Sequence, residues 1–194
     1  NGFNRIQEYA DYRASQAGGA FNPTVVEAEQ LYDQFSWGIE RHPFSVRNFG
    51  VFVKKQWSNP RYFFIIGKGR EYSTVRSDAG LAAALDEGFY VPTYCTPGSD
   101  NMLLAGNDGF TPVIPIGRIA AISQEDVRIY LQKVKELEAN SNAPQTLADR
   151  AWRKRVLHMG GGNDGIDQNT FKSYLKDLEN RLENSKFGAE VRDF

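Results

Sequence analysis

Five consecutive apolar residues, Tyr62-Phe-Phe-Ile-Ile66, stand between an Asn59-Pro60 break and a Gly67-Lys-Gly turn. A run of that length reads as a strand. Because nothing polar interrupts it, both of its faces must be covered, which is the situation of a strand inside a parallel sheet with helices on either side. The residues just before it supply one such helix. Pro43 fits a first helical turn, and Val46, Phe49, Val53 and Trp57 recur on one face as far as the break. The turn after it, Gly67-Lys-Gly-Arg-Glu, lies at the strand's carboxyl end, the edge where open α/β sheets usually place ligands.

The flanking sequence repeats this alternation. Ile6, Tyr9 and Tyr12 take helical spacing ahead of Gly18-Gly19. Pro23-Thr-Val-Val-Glu-Ala reads as the start of a strand, and Glu29–Phe35 as a short helix. Gly80–Asp86 suggests another short helix, Phe89–Cys95 a strand, and 98–109 a polar loop. Val113–Ile119 reads as a strand leading to Ser123-Gln-Glu-Asp126, a reciprocal capping arrangement for a helix marked by Val127, Tyr130, Leu131, Val134 and Leu137. The polar segment Asn140–Asp149 breaks the pattern. A strand (Arg155–Met159), a glycine turn (Gly160–Gly162), a helix (Phe171, Tyr174, Leu175, Leu178, Leu182) and a strand (188–194) follow.

The expected fold is therefore α/β, a three-layer α-β-α arrangement with a mostly parallel sheet. Residues 1–139 form a first subdomain, 140–151 a linker, and 152–194 the opening βαβ of a second. A unit of about 45 residues is too small to bury a core of its own. The chain also opens on Asn1 and stops at Phe194 within an expected strand, so it reads as a piece of a longer protein.

Charge and cysteine content remove several function classes. Lys and Arg number 23 against 24 Asp and Glu, so the one-signed field of a nucleic-acid binder or polybasic membrane-surface protein is missing. No apolar run approaches the ~20 residues of a bilayer span. A single cysteine excludes an intrachain disulfide and a Cys-based zinc site.

Several residues are candidates for chemistry. Gly160-Gly-Gly-Asn-Asp-Gly165 satisfies G-x-G-x-x-G between a strand and a helix, where glycines let a pyrophosphate approach a helix N-terminus. The ribose-binding acid expected ~20 residues on is out of place, since Glu179 and Glu183 fall inside the helix and Asp193 lies farther along. A structural turn or a substrate-facing loop is the competing reading. Cys95 could act as a nucleophile only with a histidine base, yet neither His42 nor His158 stands in a Cys–His signature. No G-x-S-x-G elbow exists, and Gly67-Lys-Gly lacks the other positions of a phosphate loop. Asp86, Ser99, Asp100, Asn107 and Asp108 offer hard oxygens for calcium, but their spacing fits solvated turns at least as well. Arg118, at the end of the Pro115-Ile-Gly-Arg strand, suits an ion pair or carbonyl contacts, with a ligand clamp as the alternative.

Read together, Val25–Gly38, Arg61–Gly69, Tyr90-Val-Pro-Thr-Tyr94, Ser99-Asp100 and Ile116-Gly-Arg-Ile119 resemble the serial landmarks of the gingipain-type cysteine peptidases (peptidase family C25). Trp152–Gly162 with Gln168-Asn-Thr-Phe171 is similar to the sortase-like branch associated with type IX secretion in Bacteroidetes. The resemblance covers nearly the whole chain. It implies a caspase-like fold whose catalytic histidine and cysteine belong to the second subdomain, beyond this segment, so that no catalytic residue falls within it. It also implies a polypeptide substrate, no cofactor or metal for the reaction, and a parent protein at the extracellular or outer-membrane surface of a Gram-negative bacterium. Asp164 lies near the place where gingipains carry an acid that defines the pocket for a basic side chain, though a helix N-cap is the simpler reading of it. The chain departs from the family in having Lys68 and Arg70 where the peptidases tend to have acids, which puts a calcium site at that turn in doubt.

Overall fold

A computed structural model describes residues 4–106, 111–143 and 146–193. The elements run, in order, α1 (Arg5–Ala14), α2 (Ala28–Phe35), α3 (Pro43–Gln56), β1 (Phe63–Ile66), α4 (Asp78–Asp86), α5 (Asp100–Leu103), β2 (Ile116–Ile119), α6 (Gln124–Asn142), α7 (Leu147–Arg150), β3 (Arg155–His158), α8 (Gly165–Leu182) and β4 (Glu190–Asp193). Short 3-10 turns cover Thr74–Arg76 and Ala151–Lys154. The chain divides into two compact units, Asn1–Ser141 and Asn142–Phe194.

In the first unit, β1 and β2 pair in parallel, with Phe63 opposite Ile116 and Ile66 opposite Ile119. Strand alternation sends Phe63 and Ile65 to one face and Phe64 to the other. On the first face Phe63 packs with Phe49 of α3, Leu31 of α2 and Leu104, while Ile65 packs with Val46, Val91 and Leu103. On the second face Phe64 stacks between Tyr9 of α1, at 5.2 Å, and Tyr130 of α6, at 5.7 Å. Helices thus cover both faces of β1, as its unbroken apolarity requires. Gly50 lets α3 come this close to the loop after α5, because a Cβ at that position would run into the Leu104 side chain.

Both helix starts read from local chemistry form as expected. Pro43 is the first residue of α3, where its missing N–H costs nothing, and the His42 ring accepts the Phe44 amide. The carboxylate of Asp126 accepts the amides of Ile122 and Ser123, while the Ser123 hydroxyl accepts the Asp126 amide in return.

Three expectations fail in this unit. Residues 20–27 form no strand; that segment is largely exposed, with only Val26 packed against the core. Phe89–Cys95 does not join the sheet either. Phe89 and Val91 are buried there, but the amides of Tyr90 and Val91 both reach one carbonyl, that of Lys68. Pro92 has no amide to donate, so the segment cannot continue as a ladder. The supposed polar loop at 98–109 contains α5, followed by buried Leu104 and Ala105. A single turn of helix has no periodicity to betray it.

In the second unit β3 and β4 also pair in parallel, Arg155 opposite Glu190 and His158 opposite Asp193. The intervening helix α8 carries the expected residues at helical spacing, yet none of its 18 residues is buried. Among the described residues of this unit the one buried residue is His158, 6% exposed.

Candidate functional site

Parallel strands of an α/β sheet offer their carboxyl ends for binding. Each unit has one such edge, and the two differ in how the chain uses them.

At the edge of β1 and β2 the position is filled from within. Arg118 points its guanidinium into the loops that follow the strands. Its Nε and Nη2 donate to the two carboxylate oxygens of Asp100, both at 2.7 Å. Nη1 donates to the carbonyls of Gly67, at 2.7 Å, and Val91, at 2.9 Å, and Nη2 donates also to that of Pro92, at 2.9 Å. All five guanidinium N–H groups are thereby used. The fork binds the start of α5, the turn after β1 and the 91–92 segment in one knot. Of the two readings of Arg118, the ion pair with carbonyl contacts is the one present.

That knot also decides the role of Asp100. Both of its oxygens are engaged by Arg118, and among the described residues no cluster of three or more His, Cys, Asp or Glu has metal-binding geometry. Of the other members of the supposed oxygen cluster, Asp86 ends α4, Ser99 directly precedes α5, and Asn107 and Asp108 lie outside the described residues. The nearby turn is held by cations, since Lys68 donates to the Glu87 carbonyl at 3.0 Å and Arg70 pairs with the Glu87 carboxylate. Glu87 is the residue at which α4 ends, a place where positive charge also meets the helix dipole favourably.

Cys95 is exposed, on backbone with φ 67°. Neither histidine hydrogen-bonds to it among the described residues. His42 accepts the Phe44 amide at 3.2 Å, and the Nδ1 of His158 lies 3.1 Å from Asp193 Oδ1.

The edge of β3 and β4 is arranged differently. The His158–Asp193 hydrogen bond closes the last rung of the strand pair, and directly after it the chain runs through the exposed turn Gly160–Gly162. Gly162 has φ 146°, and a Cβ there would sit 2.7 Å from the Gln168 amide nitrogen, so the turn needs glycine to meet α8 this closely. Asp164 then caps α8. Its Oδ1 accepts the amides of Ile166, at 2.8 Å, and Asp167, at 2.9 Å. No hydrogen bond among the described residues takes its other oxygen, and the residue is exposed.

This geometry weighs against a dinucleotide at Gly160–Gly165. The amides that a pyrophosphate would occupy at the start of α8 are taken by a carboxylate, Asp167 adds a second negative charge to the first turn, and Asp193 is tied to His158. The same capping carboxylate leaves negative charge facing outward beside the strand edge, which suits a cationic group.

Residues 3–191 match peptidase family C25. The chain belongs to that family. Neither a curated protein nor a solved structure shows a match. Membership supports a cysteine-peptidase-like function with polypeptide as the substrate class, and the chain's helices with short parallel strands fit the family's caspase-like α/β architecture. No helix among the described residues is long and apolar enough to cross a membrane.

Sequence reasoning missed two partnerships at these edges. Asp100 was a candidate calcium ligand rather than the mate of Arg118, because residues 18 apart carry no pairing signal before the fold is known. His158 reads as a residue of a buried strand facing a packed layer; it is itself buried, but Arg155 and Leu157 of β3 are exposed and no residue of α8 is buried, while its link to Asp193 crosses 35 residues and follows only from the parallel register.

Proposed function

We propose that this chain is the amino-terminal portion of a gingipain-like cysteine endopeptidase or type IX secretion sortase, working at the outer surface of a Gram-negative bacterium, with the His–Cys dyad supplied by chain outside these residues. In this reading the segment is catalytically inert by itself. Its part is to contribute the first subdomain and the first βαβ of the catalytic one. What carries the reading is the match to peptidase family C25 over residues 3–191, in a chain whose two histidines are engaged away from its one cysteine. The resemblance of Trp152–Gly162 to the sortase-like branch supports the finer assignment.

In a cysteine peptidase a thiolate attacks the scissile carbonyl, an imidazole manages the proton, and backbone amides stabilise the oxyanion. The contribution open to this chain is substrate binding through Asp164. With Oδ1 committed to the cap, the second oxygen is free to accept a charge-assisted hydrogen bond from an Arg or Lys side chain of a polypeptide.

A peptide probe with an Arg or Lys next to a thiol-reactive group tests both parts. The full-length protein is expected to label on a cysteine outside this chain, and the 194-residue chain to remain unlabelled at Cys95. Stoichiometric labelling of Cys95 would sink the reading. Asp164→Asn separates capping from binding, because Asn caps a helix about as well but carries no charge. In the full-length enzyme it should raise KM for basic substrates by roughly tenfold, the equivalent of ~1.4 kcal/mol, and leave thermal stability in place. If discrimination between basic and neutral substrates is unchanged, Asp164 has no role in substrate binding.

A further inference from the structure

We infer that the Arg150–Ala151 peptide bond is a processing site for a basic-residue-specific endopeptidase, and that cutting it leaves the first unit folded. This inference does not rest on the proposed function. It starts from a concentration of positive charge in an exposed stretch: Arg150, Arg153, Lys154 and Arg155 fall within six residues, and every residue from 146 to 155 is exposed.

Cleavage requires several residues to leave their fold and extend into a protease cleft. The stretch around Arg150 does this more cheaply than basic positions inside the long helices, in strands or tied into ion pairs. It consists of α7 and the 3-10 turn Ala151–Lys154, four residues each and without a buried side chain. Helical pieces so far below the ~12 residues at which a helix is even marginally stable are held by their surroundings or not at all. Here the hold is a capping box between Thr146 and Asp149, both of them exposed. The three later cations are partly engaged, with Arg153 against the Trp152 ring, Lys154 over Phe187 and Arg155 near Glu190 at 3.5 Å. Arg155 also begins β3, so a cut there must unpair the strand. Elsewhere, Arg13 is bound to Glu138, Arg47 to the Met102 carbonyl, and Arg118 into its knot.

The consequence follows from where burial lies. Among the described residues, both apolar clusters and all buried residues except His158 belong to the first unit. Hydrolysis adds one water across the amide, giving a carboxylate on Arg150 and an ammonium on Ala151, and needs no other reactant.

The test is limiting trypsin on the intact 194-residue chain under native conditions, with the first products identified by mass. Fragments 1–150 and 151–194 are expected first, and 1–150 is expected to keep a cooperative thermal transition. Arg150→Gln should remove that pair of fragments and slow loss of the intact chain several-fold. Arg150→Lys should move the cut from an arginine-specific to a lysine-specific protease. A first cut at Arg61, Arg76 or any other site overturns the inference. So does unchanged cleavage of Arg150→Gln, or a 1–150 fragment without cooperative unfolding.

Discussion

Arg118 shows how one side chain can fix an edge that the short strands alone leave loose. It is 11% exposed at the side chain and pairs with an Asp100 that is 24% exposed, so removing the guanidinium strands a partly buried carboxylate and three carbonyls. Breaking a buried pair from one side typically costs about 3–5 kcal/mol. Arg118→Ala should lie near the lower end, about 3 kcal/mol, and Arg118→Lys should recover only part, because an ammonium cannot reach both the carboxylate and the carbonyls as a fork. Urea midpoints measured on both variants check this; a loss below ~1 kcal/mol for the alanine variant would mean the knot is surface decoration. Tyr32 makes a second prediction. Burial pushes its phenol up to about 12, and its hydroxyl donates to the Tyr90 carbonyl at 3.0 Å. The raised folded value means that Tyr32's contribution is whole below the ordinary value of 10 and is lost as pH climbs toward 12. Tyr32→Phe should therefore lose about 1 kcal/mol at neutral pH but show a flatter decline above pH 10, read from melting temperature against pH.

Elements formed as anticipated where their signal was local or periodic. The apolar run of β1, the face of α3, and the Ser123–Asp126 cap each state their conformation within a few residues. Legibility failed where partners decided. Val25-Val26 has the composition of a strand but no neighbouring strand takes it, and Phe89–Cys95 is buried without a ladder because Pro92 interrupts its donors. The candidate site shows the same division: the Asp164 cap could be read from one helix start, while the His158–Asp193 rung needed the strand register. Packing between elements was equally hidden, and Gly50 is the clearest case. Nothing in Asn48-Phe-Gly-Val51 says that a side chain from beyond α5 will rest on it. Gly50→Ala should cost about 1–3 kcal/mol through overpacking. In a Leu104→Ala background the added methyl has room, so the penalty should shrink or reverse. A double-mutant cycle by chemical denaturation reports this directly, and simple additivity of the two changes would refute the contact as its cause.

At the scale of the whole chain, burial is distributed so unevenly that the two units cannot be equally stable. The first joins α1 to α6 through Glu138, which accepts from Tyr12 at 2.6 Å and from Arg13 at 2.7 Å, and closes both faces of its strand pair. Burial pushes the Glu138 carboxyl up, but those two donors outweigh it and hold it below the ordinary 4.5. Its contribution is thus complete above 4.5 and fades as pH falls through the lower folded value. The described residues of the second unit are joined mainly by polar contacts instead. His158 and Asp193 link the strands, the Val191 amide reaches Glu183 of the chain just after α8, and Leu157, Met159 and Ile166 stay exposed. With about 25 cal/mol for each Å² of apolar surface removed from water, a unit that hides so little of it gains little from folding. Native-state hydrogen exchange should therefore find amides of α3, β1 and β2 protected to the level of global unfolding, while those of β3, α8 and β4 exchange through local opening at a far lower free energy. Acidification below pH 4.5 should lower protection of α1 and α6 as Glu138 protonates. Equal protection in both units would show that the second has a source of stability other than apolar burial.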